Sequence, residues 1–134
     1  MAMTGLNMIM GSADADTLVG TDEGDLLSGL EGADRLEGLA GDDTLDGGAG
    51  ADTLVGGDGV DTATFADANA GVRVQLWLGV GFDSEAEGDS FAFIENVTGS
   101  DFADVLVGAS GFGVETNTLS GGGGDDTLKG AAGD

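Results

Sequence analysis

The chain lacks several residue types on which common protein chemistry depends. It contains no cysteine, histidine or tyrosine, and only 3 of its 134 residues are lysine or arginine. The absence of cysteine excludes disulfide bonds, thiol catalysis and zinc thiolate sites, although it leaves both secreted and cytosolic locations open. One tryptophan and six phenylalanines provide little material for a large core, so we expect at most one ordinary domain.

Positive charge is almost absent from the chain. Against the 3 basic residues stand 26 aspartates and glutamates, and the formal net charge is −23. Such an acidic chain would repel nucleic acid and anionic membranes, so we expect cationic partners and no nucleic acid. The 28 glycines raise the entropy of the unfolded chain, and without a counter-charge this composition favours disorder.

Long apolar runs are also missing. The longest apolar stretches cover only a few residues, whereas a membrane-spanning helix needs about 20. The first residues, MAMTGLNMIMG, include no basic segment, and Gly5 and Asn7 interrupt their apolar residues. They do not predict a Sec signal peptide, and the sequence predicts no insertion into a membrane.

What the chain does contain is a nine-residue repeat that begins at Gly11. Six consecutive units read GSADADTLV, GTDEGDLLS, GLEGADRLE, GLAGDDTLD, GGAGADTLV and GGDGVDTAT. The sixth position is always aspartate, namely Asp16, Asp25, Asp34, Asp43, Asp52 and Asp61. The eighth position is apolar, namely Leu18, Leu27, Leu36, Leu45, Leu54 and Ala63. The same register extends back into AMTGLNMIM, in which Asn7 takes the aspartate position and Ile9 the leucine position.

The period of the repeat decides between helix and strand. With 3.6 residues per turn, a nine-residue period would rotate the leucine column around a helix, so an α-helical stripe is excluded. Glycines at the first and fourth positions suit a turn, and the three residues after each aspartate can form a short strand. We therefore predict an all-β fold, a right-handed parallel β-roll (a β-solenoid) with two nonapeptides per turn and a thin core of eighth-position side chains.

This stacking arranges the aspartates in two columns, one along each edge of the roll. One column contains Asp16, Asp34 and Asp52, and the other contains Asp25, Asp43 and Asp61. Parallel strands lie about 4.8 Å apart, and carboxylates at that spacing repel each other unless a cation lies between them. Half of that spacing, roughly 2.4 Å, falls within the ~2.3–2.6 Å range of Ca²⁺–oxygen distances and exceeds the ~2.0–2.1 Å of Mg²⁺. Calcium is the predicted cofactor, and backbone carbonyls of the glycine-rich loops would complete six or more ligands.

The repeat is interrupted in the middle of the chain. We expect one continuous domain with a repeat block at 1–64, a non-repeat β spacer at 65–98 that continues the roll, and a second repeat block at 99–134. Residues 72–80 alternate apolar and polar side chains, which predicts one half-buried strand with Arg73 and Trp77 on its outer face.

A further candidate ligand lies in the same spacer. Glu87, Gly88 and Asp89 reproduce the arrangement of residues 23–25, which include the repeat aspartate Asp25. Asp89 is therefore added to the predicted metal ligands.

The second repeat block contains two regular units with a longer unit between them. The units are GSDFADVLV at 99–107, GASGFGVETNTLS at 108–120 and GGGGDDTLK at 121–129. Asp104 and Asp126 take the aspartate position, and Asn117 replaces it in the longer unit. The longer unit is expected to bulge while its neighbours still stack, which predicts a calcium site between Asp104 and Asp126. The sequence stops within another loop, GAAGD, so we expect the chain to be a piece of a longer protein.

Two units carry the pattern GGxGxDxUx without departure, GGAGADTLV at 47–55 and GGGGDDTLK at 121–129. On these units, and on the six in register, the chain resembles the RTX, or haemolysin-type calcium-binding, repeat family. The resemblance implies a β-roll with several calcium ions, about five to eight at the usual ligand numbers. It also implies a secreted, extracellular or cell-surface protein, exported by a type I route, whose repeats fold on meeting external calcium.

The resemblance extends to the ligands. The predicted side-chain ligands are Asp16, Asp25, Asp34, Asp43, Asp52, Asp61, Asp89, Asp104 and Asp126. The implied backbone carbonyl ligands are Gly29, Glu31, Gly32, Gly38, Ala40, Gly41, Gly47, Ala49, Gly50, Gly56, Asp58, Gly59, Gly121, Gly123 and Gly124. Asp14 and Glu23 occupy the fourth position, where the family has glycine, so we expect their two loops to bind less regularly. The side chains of Glu31, Asp42 and Asp58 are expected to be solvated.

Three classes of function follow from this reading. The leading one is a monomeric structural module that folds on extracellular calcium within a larger secreted protein. An enzyme could use only carboxylate pairs, such as those of glycosidases, and because the aspartates are better explained as ligands we expect no intrinsic catalysis. The alternative is a polysaccharide-, surface- or ice-contacting accessory module of an extracellular enzyme or adhesin. The seventh positions, which would face outward, form too broken a ladder of threonines to favour it.

The stacking predicts which aspartates matter most. Asp43 is an interior member of its column, between Asp25 and Asp61, whereas Asp25 closes only one full site with a neighbour. Because metal binding is coupled to folding, Asp43→Ala is expected to shift the calcium midpoint of folding further than Asp25→Ala. Circular dichroism and isothermal titration with calcium measure both midpoints. Equal midpoints would contradict two units per turn.

Overall fold

The computed structural model of the protein describes residues 7–109 and 117–130. These residues form short strands and a single 3₁₀ helix, so the predicted all-β class is confirmed. The strands are β1 (Asn7–Met10), β2 (Thr17–Val19), β3 (Asp25–Ser28), β4 (Arg35–Ala40), β5 (Thr44–Asp46), β6 (Thr53–Asp58), β7 (Thr62–Thr64), β8 (Arg73–Gln75), β9 (Val80–Phe82), β10 (Ser90–Ala92), β11 (Asn96–Thr98), β12 (Val105–Val107), β13 (Leu119–Ser120) and β14 (Thr127–Lys129). The 3₁₀ helix covers Ser84–Ala86, between β9 and β10.

The strands form two sheets, and successive strands of the first repeat block alternate between them. The six-stranded sheet has the order β1-β3-β5-β7-β11-β13, and the eight-stranded sheet has the order β14-β12-β8-β9-β10-β6-β4-β2. Within the first repeat block, each strand pairs in parallel with the strand two units on, as in Asn7↔Asp25 and Leu36↔Leu54. That offset is 18 residues, or two nonapeptides. The predicted parallel β-roll with two units per turn is therefore confirmed.

The core is a ladder of eighth-position side chains between the two sheets. Leu27, Leu36, Leu45 and Leu54 are fully buried, whereas the residues on either side of each in its strand are half-buried or exposed. Successive side chains of a strand point to opposite faces, so the eighth-position side chain of each unit points inward and its two neighbours do not. Ile9 pairs with Leu27 in this register, which confirms that the repeat extends back into β1.

The spacer continues the roll with larger side chains. In parallel pairing, Phe91 of β10 lies beside Leu54 of β6, and Val97 of β11 lies beside Ala63 of β7. Phe65 packs against Phe91 edge to face, with ring centroids 6.1 Å apart. These aromatic side chains fill the core at the turn where the leucine ladder ends.

The spacer also contains an antiparallel hairpin in place of the long strand predicted for residues 72–80, and that prediction is wrong beyond Leu76. β8 ends at Gln75, and β9 returns antiparallel to it after a turn over residues 76–79. Gly79 has a φ of 72° in this turn, a conformation that glycine adopts readily. Leu78 is consequently 53% exposed instead of buried, while Trp77 is 54% exposed as predicted.

Some sequence-based expectations lie outside the described residues. They concern the bulge of the longer unit at 110–116, the residues before Asn7, and the loop that follows Gly130. Within the part of the chain that the structure describes, no helix combines the length and hydropathy needed to cross a membrane.

Two adjacent leucines of β3 allow a matched test of the core. Leu27 is fully buried, whereas Leu26 is partly exposed on the other face. In excess calcium, Leu27→Ala is expected to lower the free energy of unfolding by about 2–5 kcal/mol, because it leaves a cavity in a thin core. Leu26→Ala should lower the free energy of unfolding by a distinctly smaller amount. Urea unfolding followed by circular dichroism measures both values, and equal losses would contradict the assigned core face.

Candidate calcium sites

Aspartates line the edge of the roll that leads into the eight-stranded sheet. The first aspartate column contains Asp16, Asp34, Asp52 and Asp89. The backbone N–H of each donates to Oδ1 of the next, with distances of 2.7 Å from Asp16 to Asp34, 2.8 Å from Asp34 to Asp52 and 2.7 Å from Asp52 to Asp89. Asp89 therefore takes the next place in the column, although it lies 37 residues after Asp52. The 3₁₀ helix and the β8–β9 hairpin lie between them in the sequence, and the hairpin itself pairs into the eight-stranded sheet between β10 and β12.

The opposite edge carries a second aspartate column, which contains Asp25, Asp43 and Asp61. The N–H of Asp25 donates to Oδ1 of Asp43 (2.8 Å), and that of Asp43 donates to Oδ1 of Asp61 (2.9 Å). At one end, the side-chain amide of Asn7 donates to Oδ1 of Asp25 (2.8 Å). At the other, the N–H of Asp61 donates to a carboxylate oxygen of Glu95 (2.9 Å). Each carboxylate thus uses one oxygen to bind the neighbouring turn.

The second repeat block repeats the same contact. Val72 N–H donates to Oδ1 of Asp104 (2.8 Å), and Asp104 N–H donates to Oδ1 of Asp126 (2.9 Å). β12 pairs with β14 in parallel, so the units on either side of the longer one do stack as predicted. Asn117 of the longer unit bonds through its side-chain amide to both the N–H and the carbonyl of Ala109.

The second oxygen of the interior carboxylates has no partner. Asp34, Asp43, Asp52, Asp61 and Asp89 are all at most 3% exposed. Oδ2 of each is buried and accepts no hydrogen bond. A buried carboxylate oxygen without a donor is costly, and a bound cation is the partner that would satisfy it.

Backbone carbonyls face the same spaces. A Cβ built on Gly29 would contact both Oδ2 of Asp34 and the carbonyl oxygen of Gly47 in the next turn, the latter at 2.6 Å. The same arrangement recurs at Gly38. Glycine at the first position therefore keeps a small space free between a carboxylate oxygen and a carbonyl oxygen of successive turns.

The predicted carbonyl ligands occupy three positions of the loops. The first positions are Gly29, Gly38, Gly47, Gly56 and Gly121, the third are Glu31, Ala40, Ala49, Asp58 and Gly123, and the fourth are Gly32, Gly41, Gly50, Gly59 and Gly124. First-position carbonyls point towards the preceding turn, since that of Gly29 lies 2.7 Å from a Cβ built on Gly11. Third-position groups also join the turns, since the carbonyl of Ala49 accepts from the N–H of Gly32 (2.9 Å). These residues line both edges, and their role as ligands remains a prediction.

Burial raises the pKa of four of the column carboxylates, namely Asp43, Asp52, Asp61 and Asp89. Burial, reinforced by repulsion from Asp43, raises the pKa of Asp61 to about 7. Burial and repulsion from Asp52 raise the pKa of Asp89 to about 8. Burial also acts on Asp25, but hydrogen bonds from Thr21 and Asn7 outweigh it, and the pKa of Asp25 lies below its ordinary value. The columns therefore combine buried carboxylates with mutual repulsion, which a cation between them would relieve.

The donor set suits a hard cation. Within residues 7–109 and 117–130, no three acidic, histidine or cysteine side chains converge on one point. A site at an edge can draw on the carboxylates of adjacent column members and must take its other ligands from backbone carbonyls. An all-oxygen set in a glycine-rich loop fits calcium, which takes six to eight oxygens, whereas zinc prefers nitrogen and sulfur.

Comparison with known families agrees with this donor set. The model of the RTX calcium-binding nonapeptide repeat matches the chain four times, over residues 2–36, 10–45, 28–63 and 113–134. The chain belongs to this family. No curated protein matches it. The repeats of this RTX chain are therefore calcium-binding repeats folded as a β-roll.

Two features of the RTX loops were not predicted from the sequence. Glu95 ends the second aspartate column; its only signal is that it precedes the apolar Val97 by two residues, as Asp61 precedes Ala63. Leu30 and Leu39, at the second position of their loops, have φ values of 82°. Leucine rarely adopts this left-handed conformation, and nothing in its residue type signals it.

The raised pKa values predict how the metal-free chain responds to pH. A folded-state pKa above the unfolded value means that protonation favours the fold. For Asp61 and Asp89 this stabilisation is complete below an unfolded pKa of about 4, and it is lost as the pH rises through about 7 and about 8. In chelator, the β-strand signal in circular dichroism is therefore expected to fall as the pH rises from 5 to 9.

Asp89→Asn provides the control for this experiment. The amide keeps an oxygen to accept from Asp52 N–H but does not ionise, so the loss of β-strand signal over this pH range should become smaller. Calcium needs the ionised carboxylates, so in the unmodified chain the calcium midpoint should move to lower concentration over the same pH range. A metal-free β-strand signal that rises with pH would contradict the assignment.

Proposed function

We propose that this RTX chain is a structural module of a larger secreted protein and that it folds when its loops bind calcium outside the cell. The observation that supports the proposal is the row of buried Oδ2 atoms of Asp34, Asp43, Asp52, Asp61 and Asp89, which accept no hydrogen bond. Without a cation, folding buries these oxygens unpaired; with calcium, folding pairs them. The binding free energy of calcium is then also folding free energy.

The overall charge supports the same coupling. The chain has a formal net charge of −23, and about five calcium ions would reduce it to about −13 at two charges per ion. Extracellular calcium modules bind at about 10⁻⁴–10⁻³ M. Loops in this range would remain empty inside a cell and fill outside it, so the chain would be exported unfolded and become rigid after export.

The proposal gives the module no catalytic role. The described carboxylates of the two columns bind backbone N–H groups of adjacent turns, and the chain has no histidine, cysteine or tyrosine to complement them. Turnover of a glycosidic substrate by the isolated chain would contradict this part of the proposal.

A second function, contact with a glycan or another surface, is favoured by the β8–β9 hairpin. Trp77 in its turn is 54% exposed and Phe82 on β9 is 40% exposed. Exposed aromatic side chains are common contact residues for sugars and proteins. Pull-down of the calcium-loaded chain on acidic and neutral glycans tests this role, with Trp77→Ala as the matched variant. Equal retention of both chains would contradict glycan binding through the hairpin.

Calcium-dependent folding is the central prediction. In chelator at neutral pH, the far-ultraviolet circular dichroism spectrum is expected to be that of a largely disordered chain, because the charge is unscreened and the core is thin. Millimolar Ca²⁺ should convert it to a β-rich spectrum, and equal Mg²⁺ should not, because half the spacing of stacked strands, roughly 2.4 Å, exceeds the ~2.0–2.1 Å that Mg²⁺ prefers.

Two results would overturn the proposal. One is a β-rich spectrum that excess chelator leaves unchanged, since the fold would then need no cation. The other is full recovery with Mg²⁺ alone, which would contradict the selectivity for calcium. Potassium chloride at matched ionic strength controls for simple screening of the net charge.

A further inference from the structure

The described loops of the repeat units fall into two conformations. In the open loops, the second and fourth positions both have positive φ; these loops are 29–34, 38–43, 47–52, 56–61 and 121–126. In the closed loops neither position does; these are 11–16, 20–25 and 99–104. The closed loops share serine or threonine at the second position and a residue other than glycine at the fourth.

In the closed loops the second residue satisfies the column aspartate. Ser12 donates both its backbone N–H (2.6 Å) and its hydroxyl (2.9 Å) to Oδ2 of Asp16. Thr21 does the same to Oδ2 of Asp25, at 2.5 Å and 3.1 Å. The hydroxyl in turn accepts from the N–H of the fourth residue, as Asp14 shows at 3.1 Å.

The third closed loop repeats this arrangement in the second repeat block. Ser100 donates its N–H to Oδ2 of Asp104 (2.8 Å) and its hydroxyl to Oδ1 (2.8 Å). Its hydroxyl accepts from the N–H of Phe102 (3.0 Å). Three separate loops thus place two neutral donors on a carboxylate that the repeat pattern marks as a metal ligand.

The open loops leave the same oxygen unpaired. Oδ2 of Asp34, Asp43, Asp52 and Asp61 is buried and accepts no hydrogen bond, and each of these residues is at most 3% exposed. The difference between the two loop types is therefore the partner of Oδ2. In the closed loops it is the N–H of the second residue, joined in two of the three loops by its hydroxyl. In the four open loops with a buried aspartate it is no protein group.

We infer that, of these two loop types, only the open one binds calcium through Oδ2, and that serine or threonine at the second position marks loops in which two hydrogen-bond donors replace the cation. A cation at Oδ2 of Asp16 would face an N–H and a hydroxyl proton, and the partial positive charge of both would repel it. The inference rests on the proposed calcium binding and specifies which of the repeats carry it. Asp16, Asp25 and Asp104 then act as hydrogen-bonded structural residues.

The positions of the closed loops give this difference a consequence for folding. Loops 11–16 and 20–25 lie on opposite edges and together form one turn near the start of the described roll. That turn carries its own hydrogen-bond donors, so it needs no ion. The open loops that follow it stack on this turn and depend on calcium.

The chain contains a natural matched pair for the test. Residues 11–19 (GSADADTLV) and 47–55 (GGAGADTLV) belong to the same column and differ only at their second and fourth positions. The double variant Ser12→Gly, Asp14→Gly makes the first unit identical to the second. It removes the hydroxyl and places glycine at both positions that have positive φ in the open loops. The loop should then adopt the open conformation, in which the N–H of the second residue does not reach Oδ2, and Oδ2 of Asp16 already lies beside the carbonyl of Gly29.

The measured quantity is the number of calcium ions per full-length chain, from native mass spectrometry and isothermal titration. The double variant is expected to bind one more ion than the unmodified chain. Thr21→Gly, Glu23→Gly makes the same conversion on the opposite edge and should also add one ion. Asp14→Gly alone is the control for charge and glycine content; it keeps Ser12 and should leave the count unchanged.

The outcomes separate this inference from the proposed function. An unchanged count in both double variants, with calcium-induced circular dichroism intact, would overturn the inference while leaving calcium-dependent folding in place. A gain in Asp14→Gly alone would overturn the role given to Ser12. If the unmodified chain bound no calcium at all, the proposed function and this inference would fall together.

Discussion

The structure depends on what happens to the two oxygens of each column aspartate. Oδ1 accepts the backbone N–H of the aspartate one turn earlier, which ties successive turns together along both edges. Oδ2 lies inside the loop, buried beside a first-position glycine. A desolvated carboxylate oxygen needs either hydrogen-bond donors or a cation. Each turn of the roll is therefore stable only if its loop donates hydrogen bonds to that oxygen or binds a cation beside it.

This requirement links the charge of the chain to its fold. The leucine ladder is one side chain deep on each sheet, and a core of that size stabilises a chain of 134 residues only modestly. Burial of the column carboxylates and repulsion between them oppose it, and both raise the pKa values of Asp61 and Asp89. Calcium removes the repulsion and pairs the buried oxygens in one step, which is why metal binding and folding are expected to be a single equilibrium.

Solenoid geometry explains how the roll tolerates interruption. Each turn contacts only its neighbours, so a segment of different length and strand direction can be inserted if the chain returns in register. The β8–β9 hairpin and the 3₁₀ helix lie between Asp52 and Asp89 in the sequence, yet Ser90 pairs with Thr53 as a repeat strand would. Glu95 then takes the place of an aspartate in the other column. A carboxylate oxygen therefore takes the same position in each of these turns, whereas the length of the chain that connects them varies.

The sequence by itself determined the fold class, the two-unit turn, the core positions and the two aspartate columns, because a strict nine-residue period leaves one way to bury the leucines and align the acids. It did not determine the turn at Gly79, where alternating residues could equally have continued a strand. Nor did it place Asp89 and Glu95 against Asp52 and Asp61, since those contacts span an irregular connection. The division into open and closed loops was likewise decided by the tertiary structure. The direction of an N–H at the second position depends on backbone dihedral angles, and Leu30 adopts there the same left-handed conformation as Gly48.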